Sequence, residues 1–332
     1  MKFGASIWPF QWDPPYEDGI SRIARLGFEA VELIGWDRES LREYYTPKKV
    51  KELRRFVEDA GLEISEFVST PEGMSSPDEK ERERAVEHFK RAVEVAVDLG
   101  TGIVNTVSAY PFDLEFPQIT DRPHLQQWTV DIASGLDWEK NWEDYVAVMR
   151  RCASICEGAD LRYALEPHPY RHISNTASML RLIEHVDSDA LGMNFDPSHL
   201  FPVGETPHVV IYQLAERIFH CHFSDNDGIS NVHWRPGKGK IDWEAVLVAL
   251  RDTGYDGVIS MELEDVPGVS RGAAPVPGVV KEERAATEEF DQENVLAMEY
   301  LKGICSKLNI PVDWMGRPGD RTGLQASDHK PQ

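Results

Sequence analysis

The sequence predicts an α/β chain folded as one (β/α)8 TIM barrel. Three observations lead there. Eight short apolar, β-prone runs alternate with longer amphipathic stretches, which is the pattern of a parallel sheet with crossover helices. Glycines punctuate the junctions. The length of 332 residues suits one barrel of about 250 residues with additions.

The elements follow in order. Phe3 to Phe10 opens the barrel and precedes a helix over Tyr16 to Leu26 that stops at Gly27. The second strand, Ala30 to Trp36, feeds a helix from Pro47 to Ala60, and Gly61 marks its C-terminus before the third strand, Ile64 to Ser69. Asp78 to Leu99 has helical period and ends at Gly100, ahead of the fourth strand, Ile103 to Tyr110. Glycine suits these ends because it enters the left-handed region without steric cost. The later pairs are Arg162 to His168 after a helix over Asn141 to Cys156, Leu191 to Asp196 after Thr176 to His185, and Ile218 to Ser224 after Pro207 to Leu214. Trp243 to Leu250, with Gly254 and Gly257 behind it, leads into the last strand, Gly257 to Leu263. The eighth helix is expected over Glu283 to Leu308. The catalytic domain thus spans residues 1–308, and a polar tail covers 309–332.

Two long irregular stretches interrupt the alternation, at about residues 111–140 after strand four and 266–280 after strand eight. Both fall on the C-terminal rim, where barrels build their sites, so they are expected to wall a substrate or seat an oligomer partner.

Composition narrows the function classes. A chain with 41% hydrophobic and 28% charged residues has ample core material and reads as soluble and globular. Its 35 basic against 57 acidic residues give a net charge of −22, which repels nucleic acid and anionic membranes. The start, MKFGASIWPF, lacks a signal-peptide core, and no run of about 18 apolar residues occurs anywhere. A cytoplasmic location is the expectation. Cys152, Cys156, Cys221 and Cys305 form no disulfide framework and are expected to be packing thiols.

The chemistry is carried by strand ends. Glu166 in YALEPHP, Asp196 in GMNFDPSH, His222 in FHCHFSD and Glu262 in ISMELED close strands five to eight. A barrel converges neighbouring strand ends on one mouth, and three carboxylates held there would repel one another without a cation. One divalent metal is therefore expected on these four residues. Oxygen-dominated ligation favours Mn²⁺, with Mg²⁺, Co²⁺ and Zn²⁺ as alternatives. His220 shares a face with His222 but lies deeper, so it is expected to be a hydrogen-bonded barrel residue. Glu264 lies further out than Glu262. Tyr110, Asn105, Trp234, Arg235, Lys238 and Arg271 fall at or near rim positions and are candidate substrate contacts, and Trp8 and Trp36 could stack on a sugar.

At LEPHP, FDPSH, HCHFSD, RPGKGKIDW and ISMELE the chain resembles the xylose-isomerase-like superfamily of sugar isomerases and epimerases, which includes ketose 3-epimerases, inosose dehydratases and endonuclease IV. The likeness covers about residues 1–308. It implies the same four metal ligands and makes His199 a substrate-contacting residue. It also implies proton abstraction beside the carbonyl of a keto-sugar, with Glu166 and Glu262 as the acid/base pair. A metal-bound carboxylate is a weak base, so His168 and His199 are alternative bases. The two rim stretches depart from the family pattern. They point to a bulky keto-sugar or keto-glycoside, and to a homo-oligomer or a hetero-oligomer with a small second subunit. Two other readings stay open. One is a lyase cleaving 3-oxo-C-glycosides by β-elimination, as in C-glycoside deglycosidase α-subunits. The other, a nuclease of the endonuclease IV kind, is opposed by the acidic charge.

Overall fold

The computed structural model describes residues 1–114, 134–270 and 285–312. Its eight parallel strands are β1 (Lys2–Ser6), β2 (Ala30–Ile34), β3 (Glu63–Val68), β4 (Ile103–Val107), β5 (Arg162–Glu166), β6 (Leu191–Phe195), β7 (Ile218–Phe223) and β8 (Val258–Met261). They pair in chain order, and β1 closes on β8 with Gly4 opposite Ser260. The expected single-domain (β/α)8 barrel is the observed one.

The helices are α1 (Glu17–Leu26), α2 (Arg38–Glu43), α3 (Pro47–Asp59), α4 (Glu79–Leu99), α5 (Trp138–Gly158), α6 (Thr176–Val186), α7 (Pro197–Leu200), α8 (Pro207–Leu214), α9 (Trp243–Asp252) and α10 (Glu288–Lys307). Gly27 and Gly100 end α1 and α4 in the left-handed region, as the sequence led us to expect. Two short helices, α2 and α7, were not anticipated, because six and four residues are too few to show a 3.6-residue period. The strands are shorter than the apolar runs. The last residues of those runs, such as Trp8, Tyr110 and His168, leave the ladder and enter rim turns. The inner portions of both rim stretches, residues 115–133 and 271–284, lie outside the described residues, as does 313–332.

Successive strand residues face opposite sides. One set, including Phe3, Val31, Leu33, Val104, Leu165, Met193, Phe195, Cys221, Phe223 and Ile259, is buried and packs the core cluster with the helices. All four cysteines are buried there and unpaired. The other set faces the lumen. Barrel interiors are usually filled by branched aliphatics, yet this one carries Ser6, Glu32, Glu66, Asn105, Asn194, His220, His222 and Ser260, every one fully or almost fully buried. That polar layer supports the mouth.

Candidate metal centre

Each ligand-type residue reaches the mouth by a local device. Glu166 is the last residue of β5. Asp196 follows β6 and is the N-cap of α7, where one carboxylate oxygen, Oδ1, accepts the Ser198 amide at 2.7 Å. His222 lies one residue before the end of β7. Glu262 follows β8, and its Oε1 accepts Trp8 Nε1–H at 3.1 Å. The ligand atoms of these four residues all lie within 4.8 Å of one another, and all four are buried.

Asp196 Oδ2 and Glu262 Oε2 are buried without a hydrogen-bond partner. An orphaned carboxylate oxygen is costly in the interior. Two of them facing one point, beside an imidazole, fit a hard divalent cation held by three carboxylates and one nitrogen.

The orientation of His222 supports the same fit. Its Nδ1 stands 3.0 Å from Glu166 Oε1 and 3.2 Å from Glu262 Oε2. On the other side, Nε2 lies 3.1 Å from Glu32 Oε2 and 3.3 Å from Glu66 Oε1. Carboxylates behind the imidazole hold its outer N–H and leave the inner nitrogen to a metal. Glu32 is anchored by Ser6 Oγ–H at 2.6 Å and by His220 Nε2 at 2.6 Å, and Glu66 by Asn105 Nδ2–H at 3.0 Å. His220 is thus the deeper, hydrogen-bonded barrel residue that its register suggested.

The charges at the mouth are strongly perturbed. Burial raises the Glu166 carboxyl to about 8 against the lowering pull of His222, and burial raises Asp196 to about 7. Burial would raise Glu262 too, but the imidazoles of His222 and His233 hold it well below the carboxylate range. His222 itself, although burial depresses a histidine, is lifted well above its ordinary value by Glu32, Glu166 and Glu262.

The candidate bases sit beside this centre. His168 and His199 pack with ring centroids 3.5 Å apart. His168 Nε2 is 3.8 Å from Glu166 Oε2, and His199 Nε2 is 3.9 Å from Glu166 Oε1 and 3.5 Å from Asp196 Oδ2. The other expected contacts scatter. Asn105 is fully buried in the lumen on Glu66. Tyr110 lies under the Arg171 guanidinium at 3.9 Å, and Arg235 is paired with Glu293 at 3.1 Å. Lys238 is exposed, Trp234 is half-buried with its backbone paired to Asp225, and Arg271 lies outside the described residues. Trp36 stacks on Trp12 at 4.5 Å and meets Trp8 edge-on.

Three residues of the centre escaped sequence reasoning. Glu32 and Glu66 each interrupt an apolar strand run, and a charge inside such a run was the available signal. His233 has no such signal. It lies in the loop after β7, yet is 1% exposed and stands 3.6 Å from Glu262 Oε2. Asp225 folds that loop back over the mouth. Its carboxylate accepts the amides of Asn226, Gly237 and Ile241 and the Trp243 indole N–H.

Eight parallel strands closed around a carboxylate-rich mouth define a TIM-barrel enzyme class. The sequence pattern of the xylose isomerase-like TIM barrel family matches residues 20–290, and the chain belongs to that family. It is 24% identical to a D-psicose 3-epimerase from Ruminiclostridium cellulolyticum over 274 residues, which is 79% of this chain and 83% of the relative. An inosose dehydratase from Lacticaseibacillus casei is 24% identical over 292 residues, 80% of this chain and 91% of the relative. Among solved structures, a 3-keto-D-glucoside 4-epimerase from E. coli superposes with a TM-score of 0.67 at 17% identity, covering 91% of this chain and 99% of that one. These three relatives are two sugar epimerases and an inosose dehydratase. No helix among the described residues is long and apolar enough to cross a membrane.

Proposed function

We propose that the protein is a divalent-metal-dependent enzyme that abstracts the proton beside the carbonyl of a keto-sugar. The observation that carries the reading is the convergence of Glu166, Asp196, His222 and Glu262 within 4.8 Å, with two buried carboxylate oxygens left unpartnered. When bound, the cation, Mn²⁺ by preference, supplies Lewis-acid stabilisation of the negative charge that develops on the substrate carbonyl. The chain supplies the rest. On this reading Glu166 and Glu262 take and return the proton at their carboxylate oxygens. Trp8 fixes Glu262 through Oε1. His168 and His199, both against Glu166, can pass protons between its carboxylate and the substrate hydroxyls.

The names of the relatives point to two outcomes of one first step. Epimerisation returns the proton to the same carbon, whereas dehydration expels a β-hydroxyl. Similarity to inosose dehydratase keeps the elimination reading in view, and with it cleavage of a bulkier β-substituent from a 3-keto-glycoside. We favour a keto-sugar with a bulky substituent, because the sequence carries about 45 residues in two stretches that follow strands four and eight, and the loops after the strands shape the pockets of such barrels. In D2O, metal-loaded enzyme should wash solvent deuterium into the carbon beside the carbonyl of its preferred substrate. A panel of free ketoses, inososes and 3-keto-glycosides would identify that substrate. Turnover undiminished in protein stripped of metal, or no exchange with any member of the panel, would sink the reading.

A further inference from the structure

We propose that a cleft on the outer side of the barrel, between α2 and α4, binds a phosphorylated small molecule of sugar-phosphate size. None of its residues belongs to the mouth, so the site stands apart from the metal centre. The cleft encloses about 480 Å³, within the range of small-ligand sites. Arg38 and Arg42 of α2 and Arg84 and Arg91 of α4 line it. Their spacings, i to i+4 in one helix and i to i+7 in the other, put each pair on one helix face.

Four guanidiniums in one cleft run against the composition of a chain whose net charge is −22. Glu83 and Glu87 also line it, which leaves two more cations than carboxylates, and Glu83 is already held by Arg151 through both its oxygens, at 2.5 and 2.9 Å. Arg38 has no ion pair among the described residues. Arg42, Arg84 and Arg91 pair with Glu43, Glu81 and Glu94, close neighbours on their own helices. Solvent-facing pairs of this kind are weak and yield to a better acceptor. A phosphate dianion is that acceptor, because it matches the surplus charge and meets the planar arginine fork with two oxygens.

The floor of the cleft adds a second chemistry. Leu41 and His88 line it, and both are buried. Ser69 Oγ donates to Gly35 O at 2.9 Å, so in its 3.1 Å contact with His88 it accepts from Nε2. Nδ1 of His88 therefore carries the lone pair. Burial, together with the Arg38 charge, lowers the ring to about 4, which keeps it uncharged at neutral pH. Guanidinium donors at the rim thus stand over a neutral acceptor and an apolar wall. Inorganic phosphate would fill only part of that volume, whereas a phosphomonoester of a small polyol sets its phosphate on the arginines and a hydroxyl on His88.

The test is calorimetric titration of the phosphate-free full chain with glucose 6-phosphate and, separately, with inorganic phosphate. The wild type should bind one glucose 6-phosphate per chain, more tightly than inorganic phosphate. The Arg38→Gln/Arg42→Gln double variant and, on the facing helix, Arg84→Gln should each weaken that binding at least about 10-fold, the loss expected of a hydrogen bond to a charged group, while Tm without ligand stays unchanged. His222→Gln should leave it intact. Absence of binding at millimolar ligand, or affinity indifferent to the arginine variants, would overturn the site. Loss of binding in His222→Gln would do the same by moving the phosphate to the mouth, and equal affinity for inorganic phosphate would reduce the cleft to an anion patch and overturn the small-molecule assignment.

Discussion

His222 carries two demands on one ring. Nδ1 must face the centre while Nε2 is held from behind by two buried carboxylates. His220, two residues deeper, serves only the support, through its 2.6 Å contact with Glu32. The two kinds of residue should therefore separate experimentally. Glu262→Gln should abolish turnover with little change in Tm, because the isosteric amide keeps the Trp8 contact but loses the anionic donor. His220→Asn should instead cost about 1 to 3 kcal/mol, as expected when a buried polar group is left unpaired. Chemical denaturation and metal content would show which loss belongs to which variant. If His220→Asn strips the metal while Glu262→Gln retains both metal and activity, the roles assigned to His220 and Glu262 are wrong. At this scale the sequence was readable where a charge closes an apolar strand, as at Glu166, Asp196, His222 and Glu262, but Glu32 and Glu66, inside their strands, were passed over. His233 was not readable, because no local pattern tells where a loop eleven residues beyond His222 will turn.

Among the elements, the loop between β7 and α9 reaches back to the mouth. It delivers His233 and is folded on Asp225, against which Gly239 packs so closely that a Cβ would lie 2.2 Å from Asp225 Oδ1 and 2.3 Å from Asn226 O. Backbone at that distance cannot yield cheaply. Gly239→Ala should accordingly displace the loop. It should lower Tm and weaken Mn²⁺ binding, while far-ultraviolet circular dichroism stays that of the barrel. Unchanged Mn²⁺ affinity would show that the loop does not position the centre. Strands and long helices were legible as periodic runs punctuated by glycine, as at Gly27 and Gly100. α2 and α7 were not, since they are single turns set by caps: Asp37 with Ser40 in one, and Asp196 ahead of Pro197 in the other.

For the molecule as a whole, the uncompensated acids of the mouth set the pH dependence. In metal-free protein Glu166 is raised to about 8 from 4.5 and Asp196 to about 7 from 3.8. The folded state thus binds more protons than the unfolded state between about pH 4 and 8, and stability falls as pH rises through that window. His233, raised to about 10 from 6.5 by Glu262 and Asp196 despite its burial, acts in the same direction. Its contribution is full below pH 6.5 and is lost toward pH 10. Metal-free protein should therefore melt at progressively lower temperature from about pH 6.5 to pH 9 at fixed ionic strength, because below that range His88 and His172, lowered to about 4 by burial, act in the opposite direction. Saturating Mn²⁺ should reverse the trend, because cation binding improves as those protons leave. A metal-free Tm that rises over this range would contradict the picture of buried, proton-dependent acids. The barrel was legible at this scale because eight alternations suit closure. The acidic balance of −22 signalled no nucleic-acid partner but not a polar lumen, which only the packing of strands across the barrel discloses.

Asp196 has one further implication. A single side chain closes the first turn of α7 with one oxygen and offers the other to the centre. Any event that draws the carboxylate toward a cation also pulls on the amide of Ser198. Ser198 Oγ in turn touches Ser224 Oγ at 2.5 Å, at the mouth of the neighbouring strand. The Asp196 carboxylate, the Ser198 amide and the Ser224 hydroxyl thus form one chain of contacts, so a substitution at any of the three is felt by the segment from Pro197 to Leu200 on which His199 rides.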